Sequence, residues 1–417
     1  MRKRILFVDD EPEILAGLRR MLRKYRHDWD MDFVESGQEA LRLFDQAPYD
    51  VIITDMRMPG MDGADLLEKI ARRFPSTVRI ILSGYSDQEM VMRTVSVAHQ
   101  YLSKPCDAET LRRVIEQAAL LRATIYNSRV KEVVSGLATI PSCPSLYLQI
   151  ISALKSPDTS LQTIGDIISR DVGMTAKILQ LVNSAFFGLS RKITNVSQAV
   201  GILGLETIRI LVLIAGVFKA FEYVRIPGFD MEQLWTHAMA VGTCAKKLAT
   251  TMEKDNPAIV DASYLAGMLH DVGKFVLAAA FPESVEKAIK KAVASNKPLY
   301  ESEEDLFQTT HAEVGAYLMG IWGLPDDIVT AIAFHHVPSK VGDSPPLPLL
   351  FVHAANGLSH LATTKDTPES REGEKYFDDT FLKKMEATEK LEEWKTICED
   401  VWPQGEDNGE KQDPLCG

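Results

Sequence analysis

Along the first 120 residues, short runs of β-branched and other apolar residues alternate with longer stretches whose apolar positions recur at helical spacing. Arg4–Val8, Asp32–Val34, Val51–Thr54, Val78–Leu82 and Gln100–Ser103 read as strands, with amphipathic helices between them. Strands of near-continuous hydrophobic text separated by helices predict a parallel sheet covered on both faces. From about Val130 the strand pattern ends. Leu161–Arg170, Met174–Ala185, Ser197–Leu203, Thr207–Tyr223 and Met231–Met252 read as helices, so a second, all-α domain follows. The segment IRILVLIAGVFKAF is apolar nearly all round, which places it in the middle of a bundle.

Five strand–helix units make the first domain, over residues 4–120, a flavodoxin-like doubly wound α/β fold, in which functional groups collect at the carboxyl ends of the strands. Residues 107–135 continue one helical pattern out of it and predict a stiff helical linker over 121–135. The helical domain proper then occupies 136–340. After the proline-rich break Ser344–Pro348 come an apolar helix, Leu349–Leu361, and a charged helical stretch, Thr380–Asp400; both belong to a helical extension over 341–400. Residues 401–417 read as a disordered tail.

Composition narrows the classes. With 417 residues, 46% hydrophobic and 25% charged, the chain holds two or three domains, each with its own core. The longest uninterrupted apolar run, Ile210–Phe218, falls far short of the roughly 20 residues that span a bilayer as a helix. The opening MRKRILFVDDEPE lacks the apolar core of a signal peptide, so a cytoplasmic protein is expected. Cys106, Cys143, Cys244, Cys398 and Cys416 show no CxxC pair, which suggests neither a disulfide framework nor a cysteine-rich zinc site. The net charge of −12 divides into −1 for residues 1–122, −3 for 123–360 and −8 for 361–417. No strongly basic face and no basic helix-turn-helix stand out, which argues against direct nucleic-acid binding and DNA-directed regulation.

Two groups of residues carry chemistry. Asp9 and Asp10 close the first strand, Asp55 the third, Ser83 the fourth, and Lys104, followed by Pro105, the fifth. Three carboxylates converging at one end of a sheet repel unless a divalent cation sits among them, and hard oxygen ligands suit Mg²⁺. A carboxylate beside such a cation, with an ammonium and a hydroxyl nearby, is arranged to accept a phosphoryl group. In the helical domain, His237 (LWTHAMAVG), His270–Asp271 (LAGMLHDVGK), His311 (TTHAEVGAYL) and His335–His336 (AIAFHHVPS) lie on predicted helices among apolar neighbours. Imidazoles and a carboxylate drawn from several helices are how a transition-metal site is built into an all-α core. Histidines satisfied by core hydrogen bonds are the other reading.

The segments ILFVDDEPE, DVIITDMRMPGMDG, IILSGYSD and QYLSKPCD resemble the motifs of response-regulator receiver domains over about residues 1–120. That resemblance implies Asp55 as phosphoacceptor, Asp10 and Asp55 as direct Mg²⁺ ligands, Asp9 as a ligand through water and the Arg57 backbone carbonyl as a further ligand. It also implies Lys104 and Ser83 as supports of the phosphoryl group and Tyr101 as the aromatic switch that moves with Ser83. The segment IPSCPSLYLQIISAL and the text from SRDVGMTAKILQLVNSAFFGL to LETIRILVL resemble the HDOD domain, a helical relative of the HD phosphohydrolases, over about 136–340. Its Phe186–Gly188 segment reads as core and turn. The H…HD…H…HH order matches the HD superfamily, as does Lys274, a potential catalytic group there. The GYP segment of the HD-type phosphodiesterases is missing, and FVHAANGLSH offers Asn356 where an aspartate ligand is usual.

Together the resemblances imply a two-component response regulator. A partner histidine kinase would phosphorylate Asp55 and so control a helical module that acts on a protein or small ligand; a homodimer is compatible with this. The alternative is an HD-type phosphohydrolase holding Fe or Mn and acting on a nucleotide or cyclic dinucleotide.

Overall fold

The structure is a computed structural model that describes residues 2–83, 94, 97–124, 127–137, 144–156, 159–183, 189, 192–209, 226–363 and 376–402. The strands are β1 (Lys3–Val8), β2 (Trp29–Val34), β3 (Val51–Asp55), β4 (Val78–Ser83) and β5 (Gln100–Ser103). All pair in parallel in the order β2-β1-β3-β4-β5, so the doubly wound topology read from the sequence is present. Alternation along each strand sends side chains to opposite faces. Ile5, Phe7, Ile53 and Ile80 pack with Leu15, Leu18, Leu111 and Ile115 on one side, while Leu6, Val8 and Ile52 pack with Phe44, Leu66, Leu67 and Ile70 on the other. The first of these cores runs on without a break into the helical domain through Val130 and Val134.

The helical connection is not one continuous helix. Ala108–Thr124 is followed by a separate helix, Ser128–Gly136, because Asn127 caps the second: its side-chain oxygen accepts from the Arg129 and Val130 amides. The reading of Met174–Ala185 likewise shortens to Val172–Val182, which Asp171 caps through the Met174 amide. Most of Thr207–Tyr223, all of Phe186–Gly188 and residues 403–417 of the expected tail lie outside the described residues.

The body of the helical domain is a bundle. Met231–Met252 and Pro257–Leu269 lie side by side, Leu347–Thr363 packs on both, and Val272–Ala280, His311–Ile321 and Asp326–Phe334 close the far side. His311–Ile321 also packs against Ala108–Thr124 and Ser128–Gly136, which joins the two domains.

Beyond the bundle, Asp379–Lys384 and Leu391–Cys398 take the place of the single charged helix expected over 380–400. One expectation is corrected here. Cys244 and Cys398 are joined as a disulfide, with Cα atoms 5.5 Å apart, although no spacing rule pairs them. Their partnership comes from tertiary packing of Leu391–Cys398 on Met231–Met252, across 154 residues of sequence.

Candidate functional site

At the carboxyl end of the sheet, Lys104 joins the two carboxylates that matter. Its Nζ lies 2.7 Å from Asp9 Oδ2 and also pairs closely with Asp55 Oδ1. The peptide bond between Lys104 and Pro105 is cis. The other oxygen of Asp55 accepts the Arg57 amide at 2.6 Å, so it is the backbone N–H of Arg57 that meets this carboxylate. Burial pushes the Asp55 carboxyl upward against the opposing pull of Lys104, and the two carboxylates raise the Lys104 ammonium although burial opposes them. Asp10 stands next to Asp9, half-buried, at the same strand end.

Ser83 ends β4, opposite Ser103 of β5. Tyr101 is buried in the sheet and its hydroxyl shares a 3.1 Å hydrogen bond with Thr94 Oγ1. Three acids against one ammonium form a hard-oxygen donor set that fits Mg²⁺.

The second group gathers at helix ends. His270 ends Pro257–Leu269, Asp271 precedes Val272–Ala280, His311 begins His311–Ile321, and His335 ends Asp326–Phe334 with His336 after it. His237 alone comes from mid-helix. Two glycine crossings bring these ends together. A Cβ on Gly273 would lie 1.9 Å from the His311 carbonyl oxygen, and one on Gly267 would lie 2.8 Å from Gly242 Cα, so only glycine lets either pair of helices approach this closely. Thr310 and Glu313 form a capping box that fixes the start of the His311 helix. Asp271 holds an N-cap position yet makes no cap hydrogen bond, because its carboxylate faces the histidines instead.

Hydrogen bonds define the tautomers. His270 Nδ1 donates to Gly267 O at 2.6 Å, His335 Nδ1 to Ile332 O at 2.8 Å, and His311 Nδ1 to Glu303 Oε2 at 2.6 Å. Each pinned Nδ1 turns its Nε2 toward Asp271: the separations are 3.3 Å for His270, 3.1 Å for His311 and 3.7 Å for His335. His336 Nε2 lies 3.0 Å from His311 Nε2, and His237 Nε2 lies 3.3 Å from His270 Nε2. Asp271, His311, His335 and His336 thus form one potential ligand set, and His237, His270 and Asp271 a second that shares the carboxylate.

Lys274 Nζ takes Asp271 Oδ2 at 2.8 Å, which leaves Oδ1 for the first set. Burial would raise the Asp271 carboxyl, but His270, Lys274 and His311 outweigh it and hold it well below the usual carboxylate range. Burial drives His237, His335 and His336 well below the ordinary histidine value, whereas the Glu303 carboxylate raises His311 against the effect of burial.

One contact tests whether these residues suit a metal. His335 Nε2 is buried with no hydrogen-bond partner, and its Nδ1 already carries the proton, so a bare lone pair faces Asp271 Oδ1. Two acceptors facing each other in a buried site call for a cation between them. The donor set therefore fits a transition metal.

Asn356 sits on Leu347–Thr363 with its side-chain oxygen buried and unpartnered, between His353 and His360 on one helical face. His353 is fully occupied: it donates to His335 O and accepts the Asp378 amide, which excludes it from a ligand role. His360, pushed down to about 3 by burial, lies beside His237 with ring centroids 6.2 Å apart. Glu303, eight residues before His311, is the residue that sequence reading missed. It stands in the acidic run ESEED, which looks like a solvated helix face, and only tertiary packing shows that it is buried.

Comparison with known families matches residues 5–116 to the response regulator receiver domain and residues 140–338 to the HDOD domain. The chain is a receiver–HDOD protein. An uncharacterized protein of Treponema pallidum is 30% identical over 227 residues, 54% of this chain and 43% of that one. The hydrogenase transcriptional regulatory protein HoxA of Cupriavidus necator is 37% identical over 116 residues, 27% of this chain and 23% of its own. The receiver–HDOD chain thus spans less than half the length of either relative. A crystal structure of the MmoQ response regulator of Methylococcus capsulatus covers 59% of this chain and 98% of its own at 22% identity, with a TM-score of 0.45. The signal receiver domain of an HD domain-containing protein of Pseudomonas fluorescens Pf-5 is 32% identical, covers 29% of this chain and 96% of its own, and gives a TM-score of 0.28. Among the described residues, no helix is long and apolar enough to cross a membrane.

Proposed function

We propose that Asp55 is a phosphoacceptor, that a partner histidine kinase supplies the phosphoryl group, and that its presence controls what the HDOD domain binds, a protein or a small ligand. The observation that carries this reading is Lys104 Nζ in contact with both Asp9 and Asp55 at the carboxyl end of the sheet. An Asp55 carboxylate oxygen attacks phosphorus, the bond from phosphorus to the donor's nitrogen breaks, and the leaving imidazole keeps that electron pair. Mg²⁺ held by Asp9, Asp10 and Asp55 would offset the negative charge at the phosphoryl oxygens. Lys104 is already placed to exchange its carboxylate contacts for a phosphoryl oxygen. Ser83, across from β5, ends its strand at the same edge. Intact-mass spectrometry after incubation with acetyl phosphate and Mg²⁺ tests the reading: a single phosphoryl adduct is expected on the wild type and none on Asp55→Ala. An adduct of equal yield on Asp55→Ala would refute it.

The unpartnered His335 Nε2 facing Asp271 Oδ1 favours a second reading of the HDOD domain, in which Asp271, His311, His335 and His336 hold iron or manganese. Such an ion would supply Lewis-acid chemistry toward a phosphate ester. Lys274, on the opposite carboxylate oxygen, keeps Asp271 ionised, and Glu303 fixes His311 in the tautomer that presents Nε2. Metal analysis of anaerobically purified protein tests the site, with retention expected in Asp55→Ala and loss in Asp271→Ala. Hydrolysis of nucleotides or cyclic dinucleotides with Mn²⁺ or Fe²⁺ tests the activity, and no turnover across such a panel would discard it.

A further inference from the structure

The end of β5 away from Lys104 is tied into the HDOD domain by buried polar contacts. The Arg79 amide donates to His99 Nδ1 at 3.0 Å, so His99 Nε2 carries the proton and donates to Ser135 O at 2.7 Å. Arg79 Nη2 reaches the same carbonyl at 2.9 Å, and its other donors go to Pro75, Thr77 and Val97 carbonyls. Gln180 of the HDOD domain donates to His99 O at 3.0 Å, and Gln100 donates to Gly320 O at 3.4 Å. Ser135 Oγ and Tyr317 Oη share a 2.6 Å hydrogen bond. Arg79, His99, Ser135 and Tyr317 are each at most 2% exposed. Polar groups desolvated to this degree lose heavily if their partners move, so the network holds one relative placement of the two domains.

The arrangement has a direction. β5 runs from Gln100 to Ser103, about 10 Å by strand geometry, and Lys104 just past its far end grips Asp55 and Asp9. The His311–Ile321 helix carries Tyr317 and Gly320 at the contact, and His311 at its first position, about 9 Å further along the axis, belongs to the Asp271 cluster. One strand and one helix therefore connect the phosphoacceptor with the histidine cluster, end to end. Gly323, at φ +78, leaves space for the Gln100 side chain, which a Cβ would meet at 3.2 Å.

The geometry points to a mechanical coupling: the contacts of His99 and Gln100 with Ser135, Gln180 and the Tyr317 helix transmit the state of Asp55 to the His311 end of the cluster, and Tyr317 and Gln180 are positioning residues in it. This rests on Asp55 being the phosphoacceptor. When Lys104 turns from the carboxylates to a phosphoryl oxygen, β5 is displaced along its length, and the Tyr317 helix follows because its contacts with β5 and Ser135 cannot be left unmade.

Coupling of binding free energies is reciprocal, so loosening the contact must alter binding at Asp55. The test is the affinity of the full chain for beryllofluoride with Mg²⁺, a phosphoryl mimic, measured by calorimetry on wild type, Tyr317→Phe and Gln180→Ala. Tyr317→Phe removes one oxygen and leaves the ring in place; Gln180→Ala serves as an independent break should the first variant fold poorly. A change of about 5-fold or more in at least one variant is expected, the lower end of ordinary allosteric coupling. Affinities within 2-fold of wild type in both would overturn the coupling while leaving the phosphoacceptor reading intact. No binding by the wild type would overturn that reading and the coupling with it.

Discussion

Lys104 and Glu303 illustrate how a residue's surroundings, not its type, assign its work. Lys104→Ala leaves Asp9 and Asp55 facing each other without their shared ammonium; phosphorylation by acetyl phosphate should fall roughly 10²-fold, as when one preorganised charge-stabilising donor is lost, and a rate within 2-fold of wild type would contradict it. Glu303→Gln keeps the shape but weakens the acceptor that orients His311. Metal affinity should drop by about 10–100-fold, read by competition with a chelator, and an unchanged affinity would show that His311 needs no such support.

The histidines also set a pH dependence. His99, His237, His335, His336, His353 and His360 lie below the ordinary value in the folded chain, so the unfolded chain binds more protons as pH drops through about 6.5. Their contribution is full above that pH and is lost below it, by up to about 1.4 kcal/mol per histidine per pH unit. His311 is raised, so its contribution is full below about 6.5 and lost as pH rises through its folded value. Six groups against one predict that Tm falls as pH goes from 7 to 5; a calorimetric Tm that rises over that range would contradict the assignment.

At the scale of elements, strand text and Asp, Ser and Lys at strand ends were legible because a parallel sheet demands continuous apolar runs and puts its polar residues at their carboxyl ends. The break at Asn127 was not, because the apolar pattern on either side shares one period and only the cap interrupts it. The disulfide between Cys244 and Cys398 was hidden for the same kind of reason: tertiary packing brings the two together, not spacing. In the helical domain the histidines were legible as a set, but their convergence on Asp271 was not, since it depends on the Gly273 and Gly267 crossings. Gly273→Ala should separate Val272–Ala280 from His311–Ile321, cost about 1–3 kcal/mol and weaken metal binding. Gly17→Ala, where a Cβ meets nothing within 4 Å, should instead stabilise by about 0.5–1 kcal/mol. Thermal melts of the two variants moving in the same direction would count against the packing argument.

In the whole molecule, two domains of different architecture share one apolar core and one network of buried polar contacts. A receiver joined by a flexible tether could change only where its partner is; the proposed control by Asp55 requires that this one change what its partner does. Hydrogen exchange of the full chain, with and without acetyl phosphate and Mg²⁺, on wild type and Asp55→Ala, tests that most directly. Control of the HDOD domain by Asp55 predicts altered protection in Ser128–Gly136 and His311–Ile321 of the phosphorylated wild type and no change in Asp55→Ala. Changes confined to residues 2–120, or the same in both proteins, would contradict it.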